Sequence, residues 1–391
     1  MGINILCIII WLGEFFLAIS SKTLTASILL LDKQLYIEFF IPQKNESLHS
    51  QINQQVPFSW FNSKFVSSTH MNAALLHEEE KKIKIMPIKS EIKGKIAENT
   101  FKIENSLYNL FSYYEIELTD ENERSLSNGL TFSYLVDDFR FSFIYMLYHS
   151  NSIDKLQYAI FPNKYEIYFG EIPNALISNQ SRVKCDIINN RWSCLLHKIF
   201  LSNNESLAYN CTNIEAIFQA HEVNIYVDHN FLSFFVQTVN NCIIEGREEE
   251  RYVSCQITSF KKIKNLTFVM GDASIVFPIE DLFSCSEYGC FSLFHYSNRY
   301  DYLGKNVWVL GTAFILKFNS VYDYNSRAIS LYSKSLVISP FRAKQYNAMI
   351  KEILIGIILI CLHKTTLAAA HASYQMRSLS SLRLLKEANI K

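Results

Sequence analysis

Four side chains with acidic or basic groups lie close together in the sequence. They are His221, Glu222, Asp228 and His229, and they follow an apolar stretch that begins at Ala216. A histidine beside a carboxylate has the composition of a general acid–base pair. No G-x-S-x-G nucleophile turn and no papain-like cysteine signature accompanies them. We therefore expect the commoner roles, namely polar residues that face solvent or a histidine bonded to backbone in the core.

The cysteines are concentrated in one half of the chain. Clustering of this kind is typical of a disulfide-bonded lobe in an oxidising compartment. No C-x-x-C pair is present, so the sequence predicts no metal site and no cofactor. The group has an odd number of members, so one thiol is expected to be unpaired or to pair outside it. Apart from Cys7 and Cys361, the cysteines are Cys185, Cys194, Cys211, Cys242, Cys255, Cys285 and Cys290.

Charge and composition exclude some classes of function. The 391 residues carry 37 basic and 37 acidic side chains, so the formal net charge is zero and a general nucleic-acid binder is disfavoured. Hydrophobic residues make up 49%, enough for a sizeable core and for two domains or lobes. Only 11 residues are glycine, which disfavours sites built on glycine-rich loops.

The N-terminus predicts entry into the secretory pathway. Residues 1–20 are apolar and end in Ala18-x-Ser20, which is typical of a signal peptide, although a buried first strand is the alternative. Glycosylation sequons give modest support to the secretory route, and we expect the protein outside the cell, on its surface or in an endolysosomal membrane. They stand at Asn45, Asn179, Asn204, Asn210 and Asn265.

The C-terminal tail, residues 336–391, contains a second apolar segment. Ile353–Leu362 is too short to span a bilayer, and continuing it to Ala372 places His363 and Lys364 near the middle of the membrane. We therefore consider residues 353–372 as a transmembrane helix, an interfacial helix or a helix docked on the domain. The first two alternatives would attach the protein to a membrane.

Short β segments dominate from about residue 31 to 335, because β-branched and aromatic residues alternate with turn-forming clusters. The charged run Glu78–Lys82 predicts a solvated loop. The remaining predicted elements are strands at Leu35–Ile41, Val223–Val227 and Ala328–Tyr332, and helices at Phe139–Ser150 and His229–Asn240.

The segment from Val307 carries the most specific motif. Val307-Trp-Val-Leu-Gly-Thr-Ala-Phe314 leads to Val321-Tyr-Asp323, and it resembles the C-terminal signature of pepsin-like aspartic proteases, except that Thr312 replaces an aspartate. The resemblance covers residues 35–335. It implies an all-β, bilobal pepsin-like acid protease fold with a central cleft, an N-terminal lobe at 31–165 and a disulfide-bearing C-terminal lobe at 166–335. Further pieces in family order are Lys93–Thr100, Asn128–Ser133, Leu147–Phe161, Ile167–Pro173 and Arg191–Cys194.

The same resemblance places neutral residues at both catalytic aspartate positions. The family uses two Asp-Thr/Ser-Gly turns, whose carboxylates share one proton and activate a water. Trp60 sets the register of the first turn, which here reads Asn53-Gln54-Gln55, and the second reads Gln219-Ala220-His221. Pro87 stands where the family has its flap tyrosine. The expected cleft residues are Gln54, Gln55, Pro87, Ala220, His221 and Thr312.

An amide has no proton to exchange near neutral pH, so the resemblance implies a homologue without catalysis. Its cleft would hold an extended peptide or protein segment by main-chain hydrogen bonds, in a monomer that binds no nucleic acid. Two alternatives stay open. One is an active aspartic-type endopeptidase with an unconventional or misregistered catalytic pair, and the other is a glycoprotein scaffold without a cleft.

The resemblance also suggests disulfide partners. Val253-Ser-Cys255 is similar to the family's V-S-C segment, whose partner lies some thirty residues further on, near Cys285 or Cys290. Gly289-Cys290-Phe291 is the closer match to the family's S-C-I-S-G position, so the resemblance favours Cys255–Cys290. Cys185 and Cys194 would close a short hairpin-like loop. The other pairings are left open.

Overall fold

A computed structural model describes most of the chain between residues 22 and 340. The described residues are 22–31, 33–41, 46–54, 59, 77–84, 91–103, 106–118, 129–134, 142–201, 208–239, 241–256, 265–286, 289–298, 306–334 and 336–340. The predictions for residues 1–20, 353–372, Asn45, Gln55, Pro87 and Asn204 lie outside these ranges. Within the described part of the chain, no helix has the length and apolarity needed to cross a bilayer.

Strands form nearly all of the regular structure, as expected from the β-branched and aromatic segments. They are β1 (Thr23–Leu31), β2 (Gln34–Ile41), β3 (Glu46–Asn53), β4 (His77–Lys84), β5 (Glu91–Ile103), β6 (Ser106–Leu118), β7 (Gly129–Thr131), β8 (Gln157–Phe161), β9 (Glu166–Gly170), β10 (Ser181–Asp186), β11 (Ser193–Leu201), β12 (Ala208–Phe218), β13 (Ile225–Tyr226), β14 (Cys242–Arg247), β15 (Glu250–Cys255), β16 (Asn265–Met270), β17 (Ala273–Pro278), β18 (Phe283–Ser286), β19 (Gly289–Ser297), β20 (Val307–Leu310), β21 (Asn319–Asp323), β22 (Ala328–Ser333) and β23 (Val337–Pro340).

The helices are short. They are α1 (Phe143–His149), α2 (His229–Thr238) and α3 (Thr312–Ile315), with 3-10 helices at Pro162–Lys164, Asn174–Leu176 and Ile279–Leu282. α2 begins where the Asp228 side chain accepts a hydrogen bond from the Phe231 N–H, an N-cap that satisfies one of the free donors of the first turn. Its buried face consists of Phe231, Leu232 and Phe235.

Two large sheets share the strands. The first has the order β10-β22-β21-β8-β9-β1-β2-β3-β7, and β5 joins it beside β2 and also pairs with β4 and β6. The second has the order β14-β15-β19-β13-β20-β12-β11-β16-β17-β23, and β18 pairs with β19. β1 pairs with both β2 and β9, so the first sheet joins strands from the two expected lobes.

An aromatic cluster packs around Trp192, whose side chain is fully buried. Its indole Nε1 donates to the Phe132 carbonyl at 2.6 Å, which ties the segment after β7 to the segment before β11. The rings of Tyr322 and Tyr324 lie edge-on to the indole, with centroids 5.3 and 4.8 Å away. Such rings contribute large apolar areas to a core, and edge contacts between them are favourable.

Most predicted elements are found with shifted ends. The structure has strands at Gln34–Ile41, Ile225–Tyr226 and Ala328–Ser333, and helices at Phe143–His149 and His229–Thr238. The solvated loop predicted at Glu78–Lys82 is wrong, because β4 occupies His77–Lys84 and pairs antiparallel with β5. Cross-strand pairing overrides the low β propensity of a charged run.

Three disulfides are present in the described residues. Cys185 bonds to Cys194, the short loop expected from the sequence, and Cys211 is a buried free thiol. The Cys255–Cys290 bond favoured above is wrong in this structure. Cys255 pairs with Cys242, and Cys290 pairs with Cys285, in each case the cysteine directly opposite on a neighbouring strand.

Candidate active site

Two parallel strand pairs position the segments that the sequence singled out. In the first pair, Ile52 of β3 lies opposite Leu130 of β7, and Asn53 is the next residue. In the second, Phe218 of β12 lies opposite Leu310 of β20, and the N–H of the next residue, Gln219, donates to the Leu310 carbonyl. Asn53 and Gln219 therefore follow equivalent leucine pairings at the ends of two similar parallel pairs.

Gln54 links the two segments. Its Oε1 accepts a hydrogen bond from the Ala220 N–H at 2.9 Å, and its Nε2 donates to the Tyr158 hydroxyl at 3.0 Å. Gln54 follows Asn53 and Ala220 follows Gln219, so the two turns meet one residue beyond the equivalent pair. Gln54 and Ala220 are both buried. An internal hydrogen bond of this kind matters most when its loss would leave buried donors and acceptors unpaired.

The β1–β2 connection closes over the second turn. The Leu35 N–H donates to the Ala220 carbonyl at 3.4 Å, and the Thr312 hydroxyl donates to the Lys33 carbonyl. Lys33 has a positive φ of 64°, which fits a tight hairpin turn. We call these two contacts, together with the Gln54 link, the turn contact. The turn contact buries residues that were expected to line an open cleft.

Gly311 permits the second turn to approach β20 closely. A Cβ built at Gly311 would lie 2.3 Å from the Asn224 carbonyl oxygen and 2.7 Å from that of Glu222. The following N–H, of Thr312, donates to the same Glu222 carbonyl at 2.7 Å. Only glycine leaves room for this approach, which explains why this glycine stands in a chain that has few.

Gln219 is fully buried, and neither its Oε1 nor its Nε2 has a hydrogen-bond partner among the described residues. A buried amide without partners costs about 1–3 kcal/mol. Its backbone N–H is satisfied by Leu310, so the unmet requirement belongs to the side chain alone.

Two stacked tyrosines lie beside Gln54. The rings of Tyr158 and Tyr322 are 4.6 Å apart with 9° between their planes, and both are fully buried. Burial raises the pKa of Tyr322 to about 12 and raises that of Tyr158 well above its usual value. Both phenols therefore stay protonated at physiological and acidic pH, and neither can act there as a base.

Comparison with known protein families identifies the family of this chain. Residues 92–334 match the family described as eukaryotic aspartyl protease, which is more than half of the chain. The chain belongs to that family. It is also similar in structure to the aspartic proteinase from Irpex lacteus, with a TM-score of 0.60 and 8% identity over 80% of this chain and 98% of that one. Identity this low supports the pepsin-like bilobal fold alone. A comparison of the sequence with curated proteins finds no match.

The four acidic and basic residues near the second turn of this aspartyl protease homologue form two separate groups. His221 and Glu222 stay beside the turn contact, where His221 Nε2 lies 3.7 Å from Glu222 Oε1 and the side chains are 11% and 12% exposed. Asp228 and His229 belong to the start of α2. The described partners of the His229 ring nitrogens, Ser233 and Arg251, lie on the exposed side of the protein.

Asp228 has a structural role. Its Oδ1 accepts hydrogen bonds from the Tyr209 hydroxyl at 2.7 Å and from the Phe231 N–H at 2.9 Å, and its Oδ2 accepts from Trp308 Nε1 at 2.8 Å. Burial and the bond to Asp228 raise the pKa of the Tyr209 phenol. The three donors fix this carboxylate between Tyr209, Trp308 and the start of α2.

The site residues predicted from sequence have different fates. Gln54, Ala220 and Thr312 meet in the turn contact, and Gln219 is buried beside them. Of Asn53, the structure describes the backbone at the end of β3. Pro87 belongs to the segment between β4 and β5, which pair antiparallel as a hairpin, and Gln55 follows the last described residue of the first turn.

Sequence reasoning missed Tyr158, Tyr322 and the β1–β2 connection as parts of this site. β8 and β21 each have at least three consecutive buried residues, and this pattern gives no indication that a hydroxyl faces Gln54. The backbone contacts of Lys33 and Leu35 leave no signature in the side-chain pattern. Among the described residues, no group of three or more His, Cys, Asp or Glu is arranged to hold a metal ion.

Proposed function

We propose that this aspartyl protease homologue is catalytically inactive and binds an extended peptide or protein segment without cleaving it. The observation that carries the proposal is the pair of amides at Asn53 and Gln219, which follow equivalent leucine pairings in the two lobes. The family's reaction requires two carboxylates that share a proton at these positions. An amide supplies neither the base for the water nor the proton for the scissile carbonyl.

The turn contact supports the same conclusion. Gln54 reaches Ala220 across the two turns, which supports the alignment that assigns Asn53 and Gln219 to the catalytic positions. Gln219 is fully buried and Gln54 is 3% exposed, so a nucleophilic water has no open path to either side chain in this conformation. The described carboxylates near the second turn have other contacts: Glu215 accepts from Asn189, Glu222 lies beside His221, and Asp228 holds α2.

Peptide binding is the function that the remaining architecture supports. The β4–β5 hairpin occupies the place in the chain where the family has its flap. Backbone groups of such a hairpin can pair with an extended peptide, and this recognition does not depend on the catalytic residues. The protein keeps the hairpin and both lobes but has amides in place of the two catalytic carboxylates. This combination favours peptide binding without cleavage.

Binding is tested with a tryptic digest of casein and the full chain at pH 5 and pH 7. Gel filtration followed by mass spectrometry is expected to recover peptides with the protein at their input length. A peptide present at ten times its Kd should also stabilise the fold by about 1.4 kcal/mol in thermal unfolding. A pepstatin-type inhibitor should give no comparable shift, because it depends on the missing carboxylates. Shortened peptides would support the endopeptidase alternative, and absence of bound peptides would support a scaffold without a working cleft.

We also propose that the protein follows the secretory pathway, with residues 353–372 as a possible membrane attachment. The clustered cysteines and the sequons support this proposal. Among the sequon asparagines, Asn179 is exposed in the structure and Asn265 is partly exposed. Expression in a eukaryotic cell should give a protein whose electrophoretic mobility in a denaturing gel increases after treatment with an N-glycosidase. Asn179→Gln should remove one step of that shift, while Asn189→Gln, outside any sequon, should leave it unchanged. Protein that stays in the cytosol without glycans would contradict the proposal.

A further inference from the structure

Four cysteines form a row across four neighbouring strands of the second sheet. Cys242 of β14 lies opposite Cys255 of β15, Cys255 lies opposite Cys290 of β19, and Cys290 lies opposite Cys285 of β18. The two outer contacts are the disulfides Cys242–Cys255 and Cys285–Cys290. The middle contact, between Cys255 and Cys290, joins two residues that are already oxidised.

Directly opposed residues in antiparallel strands point to the same face of the sheet, with Cβ atoms about 4.5–5.5 Å apart. This spacing is close to what a disulfide requires. Cys255 and Cys290 therefore each have two neighbouring cysteines, and the row admits a second pairing, Cys255–Cys290, that needs no change of strand register.

The four cysteines of the row differ in their exposure to solvent. Cys285 is exposed, whereas Cys242 is 6% exposed, Cys255 is 3% exposed and Cys290 is fully buried. Thiol–disulfide exchange begins when a thiolate reaches a sulfur atom, so access decides which sulfur is attacked first. Cys285 is therefore the solvent-exposed end of the row.

We propose that Cys285 is a modification site for small-molecule thiols of the glutathione class, and that its modification moves the disulfide along the row. The external thiolate attacks Cys285 Sγ, forms a mixed disulfide there and releases the Cys290 thiolate. Cys290 attacks Cys255 Sγ, forms the Cys255–Cys290 bond and releases the Cys242 thiolate, which takes up a proton. Each exchange breaks one S–S bond and forms one, so the number of disulfide bonds, counting the mixed one, stays at two. One external thiol is consumed, one Cys242 thiol appears, and no oxidant is needed.

The exchange alters one hairpin. In the initial pairing, Cys242–Cys255 ties β14 to β15 at the base of their hairpin. In the second pairing, β15 is tied to β19, and β14 no longer has a covalent bond to β15. The far end of this hairpin lines a cavity of about 640 Å³ with Arg247, Glu250, Tyr252 and His295. Modification of Cys285 thus loosens an element that borders a polar cavity.

Two single variants test the row without any added thiol. Cys285→Ser frees Cys290, and Cys242→Ser frees Cys255, so both variants are expected to form the same Cys255–Cys290 bond. Non-reducing peptide mapping should find that bond in most molecules of each variant, with Cys242 or Cys285 as the remaining thiol. Cys194→Ser is the matched control, because it frees Cys185 outside the row and should leave both row disulfides in place. Retention of Cys242–Cys255 in Cys285→Ser, and of Cys285–Cys290 in Cys242→Ser, would overturn the proposal.

The unmodified full-length chain gives a second test that does not depend on a variant folding correctly. Folded protein is treated with reduced glutathione at pH 8, quenched with acid and mapped without reduction. We expect one glutathione per chain on Cys285, a Cys255–Cys290 crosslink and a free Cys242 thiol. Glutathione on Cys242, or glutathione on Cys285 with Cys242–Cys255 intact, would overturn it. Both experiments are independent of the proposed peptide binding.

Discussion

Replacement of Gln54 by methionine is expected to lower the free energy of unfolding by about 2–5 kcal/mol. Methionine keeps the length of the side chain but removes both polar atoms. The Ala220 N–H and the Tyr158 hydroxyl would then lose their described partner inside the protein. Each buried group left unpaired costs about 1–3 kcal/mol. The measurement is urea-induced unfolding followed by circular dichroism, in which the midpoint should fall while the m-value stays unchanged.

Gln219→Met is the matched control for this variant. The same chemical change is made at a buried glutamine whose amide has no partner among the described residues. Removal of an unpaired amide leaves no donor or acceptor behind it, so we expect the free energy of unfolding to rise by about 1–2 kcal/mol. Equal losses at both positions would contradict the hydrogen-bond pattern assigned to the turn contact.

Asp228→Ala is expected to cost about 3–5 kcal/mol of stability, because three donors depend on this one carboxylate. The hydroxyl of Tyr209 and the indole N–H of Trp308 would lose their acceptor, and α2 would lose its N-cap. Cap loss alone typically costs about 1 kcal/mol, and bonds to charged groups are worth about 1.5–3 kcal/mol. Differential scanning calorimetry and urea unfolding measure this loss directly.

The neighbouring His229→Ala is the control for Asp228→Ala, since the two residues are adjacent and were both candidates for catalysis. His229 is exposed, so its removal should change the free energy of unfolding by no more than about 0.5 kcal/mol. Asp228→Asn should fall between the two, because its amide oxygen can still cap α2. Equal stability of the Asp228→Ala and His229→Ala proteins would contradict the structural role of Asp228.

The fold follows from the sequence where local patterns and the order of motifs agree. The segment Val307–Asp323 forms β20, α3 and β21 as its resemblance implies, and α2 begins where Asp228 precedes an apolar helical face. The charges of Glu78–Lys82 disfavour a strand and predict a loop, but pairing with β5 depends on residues distant in sequence. Long-range pairing of this kind leaves little trace in a local window.

The site was predicted in part. The family resemblance assigns Asn53 and Gln219 to the catalytic positions, and an amide has different chemistry from an acid wherever it lies. The bond from Gln54 to Ala220 depends on how two turns approach each other, which no local pattern records. The disulfides show the same difference. Cys255 lies opposite both Cys242 and Cys290. The family resemblance favours Cys290 as its partner, whereas the structure has the bond to Cys242.

Cleavage of denatured casein between pH 2 and pH 7, with and without a pepstatin-type inhibitor, tests the absence of catalysis most directly. The full chain and the Gln219→Met protein are purified in parallel and compared at equal concentration. We predict no inhibitor-sensitive cleavage by either protein at any pH in this range. Inhibitor-sensitive cleavage by the unmodified chain that disappears in Gln219→Met would contradict the account, because it would place a working catalytic centre at the second turn.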